Sequence, residues 1–236
     1  VRGLSLAQGD YRLSQVDVGN TVGQEQRLSL TVLGPGGEPV TDFELSHDKE
    51  LHLIVVRDDG AWFRHVHPER DAGGTWSIPL EWKAAGSYRV FADFVPTETG
   101  ENVTVSRTVQ VAGDFQPQPA SETSTASTIG GFDVTLEGDL AAGETSTVTA
   151  RVTRDGKPVT ALEPYLGAYG HLVALRDGDL AYLHVHPEGD EPAPGTLSGP
   201  EVVFATSAPT PGRYLLYLDF QVGGQVHTAQ FVVDAH

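Results

Sequence analysis

The sequence predicts an all-β chain folded as two tandem immunoglobulin-like β-sandwiches. Three observations carry that expectation. Short apolar, β-branched runs recur between Gly, Pro, Asn and Asp turn signals, and no segment longer than a turn has helical periodicity. The chain also contains itself twice: Gly37 to Glu69 matches Gly156 to Glu188 without a gap at an offset of 119, with 14 identities in 33 positions. Between the copies, residues 114–130 (DFQPQPASETSTASTIG) are rich in Pro, Ser, Thr and Gln and hold almost nothing to bury. The expected division is a first sandwich over 1–113, a linker over 114–130 and a second sandwich over 131–236.

In chain order, Tyr11–Val18 and Arg27–Leu33 read as strands separated by Gly19-Asn20 and Gly23. Gly34-Pro35-Gly36-Gly37 is a turn, Pro39-Val40-Thr41 begins an extended segment, and a hairpin follows over 51–67. Thr75–Glu81 alternates, Gly86–Phe94 is a further strand, and Val103–Val111 closes the unit. The second copy repeats this order. GSYRVFADF at 86–94 meets GRYLLYLDF at 212–220 at an offset of 126, so it holds seven extra residues (126 − 119) around Gly189–Gly199. Tyr88 and Tyr214 open their strands as a tyrosine corner opens strand F of an immunoglobulin-like sandwich, a structural role.

Six of the nine histidines lie in the repeated hairpin, HLIVVRDDGAWFRHVHPE at 52–69 and HLVALRDGDLAYLHVHPE at 171–188. Asp-Gly between apolar runs signals a two-residue loop. With Asp177-Gly178 as that loop, opposed residues sum to 355 and His171 faces His184; the first copy gives 117, so His52 faces His65. His67 and His186 lie two residues further on, hence on the same face. Two triads are expected, His52, His65 and His67, then His171, His184 and His186. Ile54, Val56 and Phe63 share the first triad's face and are expected to point to the core; Arg57 and Arg64 mark the opposite, wetter face.

Imidazole is a good ligand for Zn²⁺, Cu²⁺ and Ni²⁺, and His-x-His beside a third His across the ladder fills three positions of a metal site. His47, just before the first hairpin, and His227, in the last strand, are candidate fourth ligands, one per copy. Asp93 and Asp219 also recur; the parity of Tyr88, Val90 and Phe94 puts Asp93 on the face away from the core. With no Cys and no Met, Cu(I) is disfavoured and Cu²⁺ or Zn²⁺ is the expected ion. A structural or adhesive module, its rings hydrogen-bonded to one another, is the alternative. A zinc-dependent hydrolase is a third reading, with Glu69 or Glu188 as general base. No HExxH, Gly-x-Ser-x-Gly or phosphate-cradling glycine loop is present.

Net charge is −17, divided as −6 over residues 1–113 and −11 over the remainder. Such acidity argues against nucleic acid and anionic membrane surfaces as partners and concentrates cations. No apolar run approaches the ~20 residues of a membrane span. The missing initiator Met leads to the expectation that residue 1 is not the start of translation, as after removal of an export signal or trimming.

HDKELHLIVVRDDGAWFRHVHPE, followed by GSYRVFADF, resembles the bacterial exported or membrane-tethered β-sandwich modules described as YtkA-like. The sharpest elements are His52, the His65-x-His67-Pro68-Glu69 run and the Tyr88…Asp93-Phe94 strand. The second copy keeps His171, His184, His186 and Pro187-Glu188 but has Leu166 where the first has His47. The resemblance implies an extracytoplasmic location, secreted, periplasmic or surface-tethered. Some such modules are linked to heavy-metal or copper handling, and the role expected here is sequestering a metal or delivering it to a protein partner.

Overall fold

The computed structural model describes residues 2–120, 122–183, 185–193 and 195–236, and for His186 the backbone alone. Among these, every regular element is a β-strand, and no helix is long and apolar enough to cross a membrane. The chain divides into two units, built in the main on Arg2–Pro119 and on Ala120–Asp177 with Ala181–His236. Each is a β-sandwich.

In the first unit one sheet runs in the order β1 (Ala7–Gln8), β2 (Tyr11–Leu13), β3 (Glu25–Leu33), β8 (Thr75–Glu81), β7 (Glu69–Arg70). The facing sheet is β10 (Val103–Val111), β9 (Gly86–Pro96), β5 (Leu51–Arg57), β6 (Arg64–Val66), with β4 (Phe43–Glu44) on β9. Leu28, Leu30 and Val32 alternate inward from β3 and meet Leu51, Leu53 and Val55 of β5 and Val90, Ala92 and Phe94 of β9. Phe43 packs edge-on against both Trp76 and Phe94.

The second unit repeats the plan. One sheet is β11 (Ala126–Ile129), β12 (Phe132–Glu137), β13 (Thr145–Arg154), β18 (Glu201–Ser207), β17 (Val185–Pro187), with β14 (Lys157–Pro158) on β13. The other is β16 (Tyr182–Leu183), β15 (His171–Arg176), β19 (Gly212–Val222), β20 (Gln225–Ala235). Phe132, Val148, Phe204, Leu216, Phe220 and Phe231 fill its core. Both tyrosine corners form: Tyr88 Oη donates to the Ala84 carbonyl at 2.9 Å and Tyr214 Oη to the Thr210 carbonyl at 2.8 Å.

Two expectations are corrected. The hairpin register is two residues further along than an Asp-Gly loop gives. Ile54 faces His65 and Val55 faces Arg64, a sum of 119, and Ala174 faces Leu183, a sum of 357. The connections are longer because extra residues take left-handed conformations, Trp62 at φ 58° and Leu180 at φ 57°, which widens each turn. A slip of two keeps every side chain on its face.

The second correction concerns those faces. Leu51, Leu53 and Val55 point into the core between the sheets, while Ile54, Val56 and Phe63 lie on the other side and are buried too. Arg57, expected on a wet face, is 1 % exposed. A continuous apolar run with no alternation is what a strand covered on both faces needs, and Leu51–Val56 has that pattern apart from its histidine.

Arg57 is accommodated by a bidentate pair with Asp59, Nε–Oδ1 at 2.8 Å and Nη2–Oδ2 at 2.7 Å. This pair also reaches the segment that follows β10. The Gln116 carbonyl accepts from Arg57 Nη2 at 3.2 Å, Gln118 N donates to Asp59 Oδ2 at 2.7 Å, and Phe115 lies under the guanidinium at 5.2 Å. Further on, Ala126–Ile129 pairs with β12, and Ser124 bridges to Val232. The stretch expected as a linker, 114–130, is thus anchored at both ends.

Candidate metal centre

His52 is fixed first. It lies in β5 and is 6 % exposed. Just upstream, Ser46-His47-Asp48-Lys49 closes a tight turn, with Ser46 N donating to Lys49 O at 2.9 Å and Lys49 N to Ser46 O at 3.1 Å. His47 and Asp48 stand at φ 49° and 61°, the pair of left-handed residues a type I′ turn requires. This turn presents the Ser46 carbonyl to His52, whose Nε2 is 2.9 Å away. A carbonyl only accepts, so Nε2 carries the proton and Nδ1 keeps its lone pair.

That lone pair is where the other two rings arrive. His65 Nε2 lies 3.0 Å and His67 Nε2 3.1 Å from His52 Nδ1. One ligating atom from each of the three histidines falls within 4.8 Å of the others. His65 is paired with Ile54, on the diagonal from His52, and the His67 ring lies one step past the end of that ladder, 4.9 Å from the ring of His52. Both are half-buried. They occupy the place where the chain changes sheets: β6 ends at Val66, Pro68 offers no N–H to prolong the ladder, and β7 joins β8 on the other side of the sandwich.

The second copy builds its first ligand the same way. Tyr165-Leu166-Gly167-Ala168 closes a turn with Leu166 at φ 54° and Gly167 at φ 72°, and Tyr165 N donates to Ala168 O at 2.8 Å. The Tyr165 carbonyl accepts from His171 Nε2 at 2.7 Å. His184 lies outside the described residues. The backbone of His186 lies in β17, opposite Ala205.

The two candidate fourth ligands differ in placement. The His47 ring stands edge-on to His52 with 6.2 Å between centroids, outside the convergent group of three. His227 is opposite Phe220 in the β19–β20 ladder, one residue out of step with the Asp219 that faces His171, so it lies on the other face of the sheet. Its ring is 4.9 Å from that of Phe132 and 5.4 Å from that of Phe220. Burial there, with Arg154 nearby, lowers its pKa. Glu69 and Glu188, the motif-linked carboxylates, are exposed where the chain has crossed to the second sheet.

Sequence reasoning missed the Ser46 and Tyr165 carbonyls, although Asp48 and Gly167, residues that tolerate left-handed backbone, mark the turn at one offset in both copies. It also missed that Asp93 stands directly opposite His52, and Asp219 opposite His171. Burial raises the Asp93 pKa; hydrogen bonds from Thr104 and Asn102 and the charge of His65 oppose the rise.

The donor set suits a divalent transition ion. It comprises three nitrogens and no thiolate, and one ring has its lone pair fixed inward. Tetrahedral coordination at ~2.0–2.1 Å separates ligand nitrogens by about 3.3 Å, close to the 3.0 and 3.1 Å between His52 Nδ1 and the other two rings.

One family model matches the chain twice, over residues 7–113 and 127–236; its description is "Domain of unknown function (DUF8832)". The expected YtkA-like resemblance is not confirmed by this match. Among curated proteins none matches the chain. Among solved structures, the chain is similar to the adhesin InvE of Yersinia pseudotuberculosis, at 10 % identity and a TM-score of 0.28, covering 95 % of this chain and 58 % of that one. It is similar to the D0-D1 domain of intimin at 13 % identity and TM-score 0.25, covering 94 % and 98 %. A putative membrane anchored protein from Corynebacterium diphtheriae gives 10 % identity and TM-score 0.27, covering 97 % and 57 %. The chain thus spans under two thirds of InvE's length.

Proposed function

We propose, for a chain that belongs to this family through both of its copies, that His52, His65 and His67 hold a divalent transition-metal ion, Cu²⁺ or Zn²⁺. The hydrogen bond from His52 Nε2 to the Ser46 carbonyl carries the reading. It fixes the tautomer and aims Nδ1 at the point where two further imidazole nitrogens converge. His171 on Tyr165 repeats the device, which supports an equivalent site on His171, His184 and His186. The role is sequestration of the ion or its delivery to a protein partner outside the cytoplasm. The resemblance of the motif to exported metal-handling modules supports that role, as does the net charge of −17, which concentrates cations.

A second reading has one specific observation in its favour. Separations of 3.0 and 3.1 Å are also those of N–H···N hydrogen bonds, so the rings suit a brace at the edge of a structural or adhesive sandwich. Metal content separates the two. Tag-free, chelator-stripped protein is titrated with Zn²⁺ and Cu²⁺ by calorimetry, alongside His52→Ala. Saturable binding that His52→Ala weakens supports the metal centre; no binding above background leaves the brace.

A further inference from the structure

His52 and His171 each sit in a row of three residues that the two copies share. Across β5, β9 and β10 the row is His52, Asp93, Thr104; across β15, β19 and β20 it is His171, Asp219, Thr228. Directly paired residues lie on one face with Cβ atoms about 5 Å apart, so each aspartate flanks its histidine, and Asp93 does so on the side away from His65. In both rows the threonine Oγ1 donates to the aspartate Oδ1 at 2.6 Å. In the first copy Asn102 Nδ2 donates to that same Oδ1 at 3.0 Å. Both of its donors therefore engage one oxygen and hold the carboxylate plane fixed. Asp219 is 3 % exposed, so the charge of its carboxylate is little screened by water.

We propose that Asp93 and Asp219 are charge-compensating, positioning residues of the two histidine sites, each offsetting the charge of a divalent cation held on neutral imidazoles without ligating it. The inference rests on the reading of the triads as metal centres. Three imidazoles bring no negative charge, so a divalent ion on them leaves two positive charges in a partly buried place. A fixed carboxylate one strand away lowers that cost, and it does so for a cation more than for an empty cluster. Asp93 lies outside the group of convergent ligand atoms, which places it behind the ligands. The threonine keeps it there.

The test uses the chelator-stripped full chain, with Zn²⁺ for calorimetry and Cu²⁺ for electron paramagnetic resonance. Asp93→Asn retains an oxygen to accept from Thr104 and removes only the charge. Its metal-free melting temperature is expected close to wild type, with affinity at the first site reduced about 10- to 100-fold and the Cu²⁺ spectrum of that site shifted. Asp93→Glu restores the charge and is expected to recover most of the affinity although its contact with Thr104 is displaced. Asp219→Asn repeats the measurement in the second copy. An Asp93→Asn protein with wild-type affinity and spectrum overturns the proposal, as does an equal loss in Asp93→Asn and Asp93→Glu, which marks a purely structural contact. Wild-type protein that binds neither ion overturns the metal reading itself, and this inference with it.

Discussion

The Nε2 atom of His52 lies 2.9 Å from the carbonyl oxygen of Ser46, and this one contact decides which nitrogen of His52 faces its neighbours. The carbonyl is available because the Ser46–Lys49 turn is tight and left-handed, which is a property of sequence positions 47 and 48. A local backbone choice thus sets the chemistry of a side chain several residues away.

The triad itself is expected to behave as a unit. His65→Ala removes one of three ligands, and metal-induced thermal stabilisation of the first copy should disappear while the second copy retains its own. Ligation needs neutral imidazole, so the stabilisation should be present at pH 7.5 and lost near pH 5, below the ordinary histidine pKa of ~6.5. Thermal melts with and without Zn²⁺ at both pH values are the measurement. Equal stabilisation at pH 5 would show that histidines are not the ligands.

Leu166 occupies the left-handed first position of its turn at φ 54°, where an L side chain costs roughly 1 kcal/mol. Leu166→Asn places a residue that tolerates this conformation there. The second unit should become more stable by about 0.5–1 kcal/mol in urea denaturation, with the Tyr165 carbonyl still on His171. A destabilised variant would mean that the leucine side chain makes contacts worth more than its backbone strain.

His227 is held below its usual pKa by burial among Phe132, Phe220 and Arg154. A base whose folded pKa is depressed stabilises the fold fully above the unfolded value of ~6.5, and that contribution falls as pH drops toward the folded value. His227→Phe keeps the ring and removes the proton site. Its stability should change less than wild type's between pH 7.5 and 5, and its metal affinity should be unaltered. An unchanged pH slope would contradict the assignment.

Arg57 and Asp59 form a buried pair whose removal on one side is costly. Arg57→Met should destabilise the first unit by about 3–5 kcal/mol at pH 7, because Asp59 is left without its partner. Burial pushes the Asp59 carboxyl up, but the Arg57 guanidinium and the amides of Gln118 and Ala61 outweigh it and hold the pKa low. The contribution is present above about pH 3.9 and lost as pH falls through the folded value. The gap between variant and wild type should therefore narrow toward pH 3 in chemical denaturation. A constant gap would show that Arg57 acts through packing alone.

Much of this was legible in the residues. Strands over Thr75–Glu81 and Val103–Val111 have the bounds that alternation gives, and the tyrosine corners follow from Gly-x-Tyr at the strand start. The convergence of His52, His65 and His67 survives because a register error of two preserves the face. The register was not legible, since it depends on Trp62 and Leu180 adopting backbone conformations their side chains disfavour. The anchoring of 114–130 was hidden because its contacts are to backbone carbonyls and amides, which composition does not report. His227 was misleading for a related reason: a polar residue type gives no sign that aromatic rings enclose it.

The change of sheet at Pro68 has a consequence for rates. His52 belongs to a seven-residue strand paired along its whole length with β9, whereas His65 and His67 ride on a segment held by three ladder positions on one side and two on the other. Such weakly laddered backbone opens locally at far lower free energy than the whole domain. An ion bound at the triad would leave by that excursion, with the 64–70 segment lifting while β5 stays in place. Its residence time would follow amide-hydrogen exchange in this one segment and be indifferent to the stability of the sandwich core.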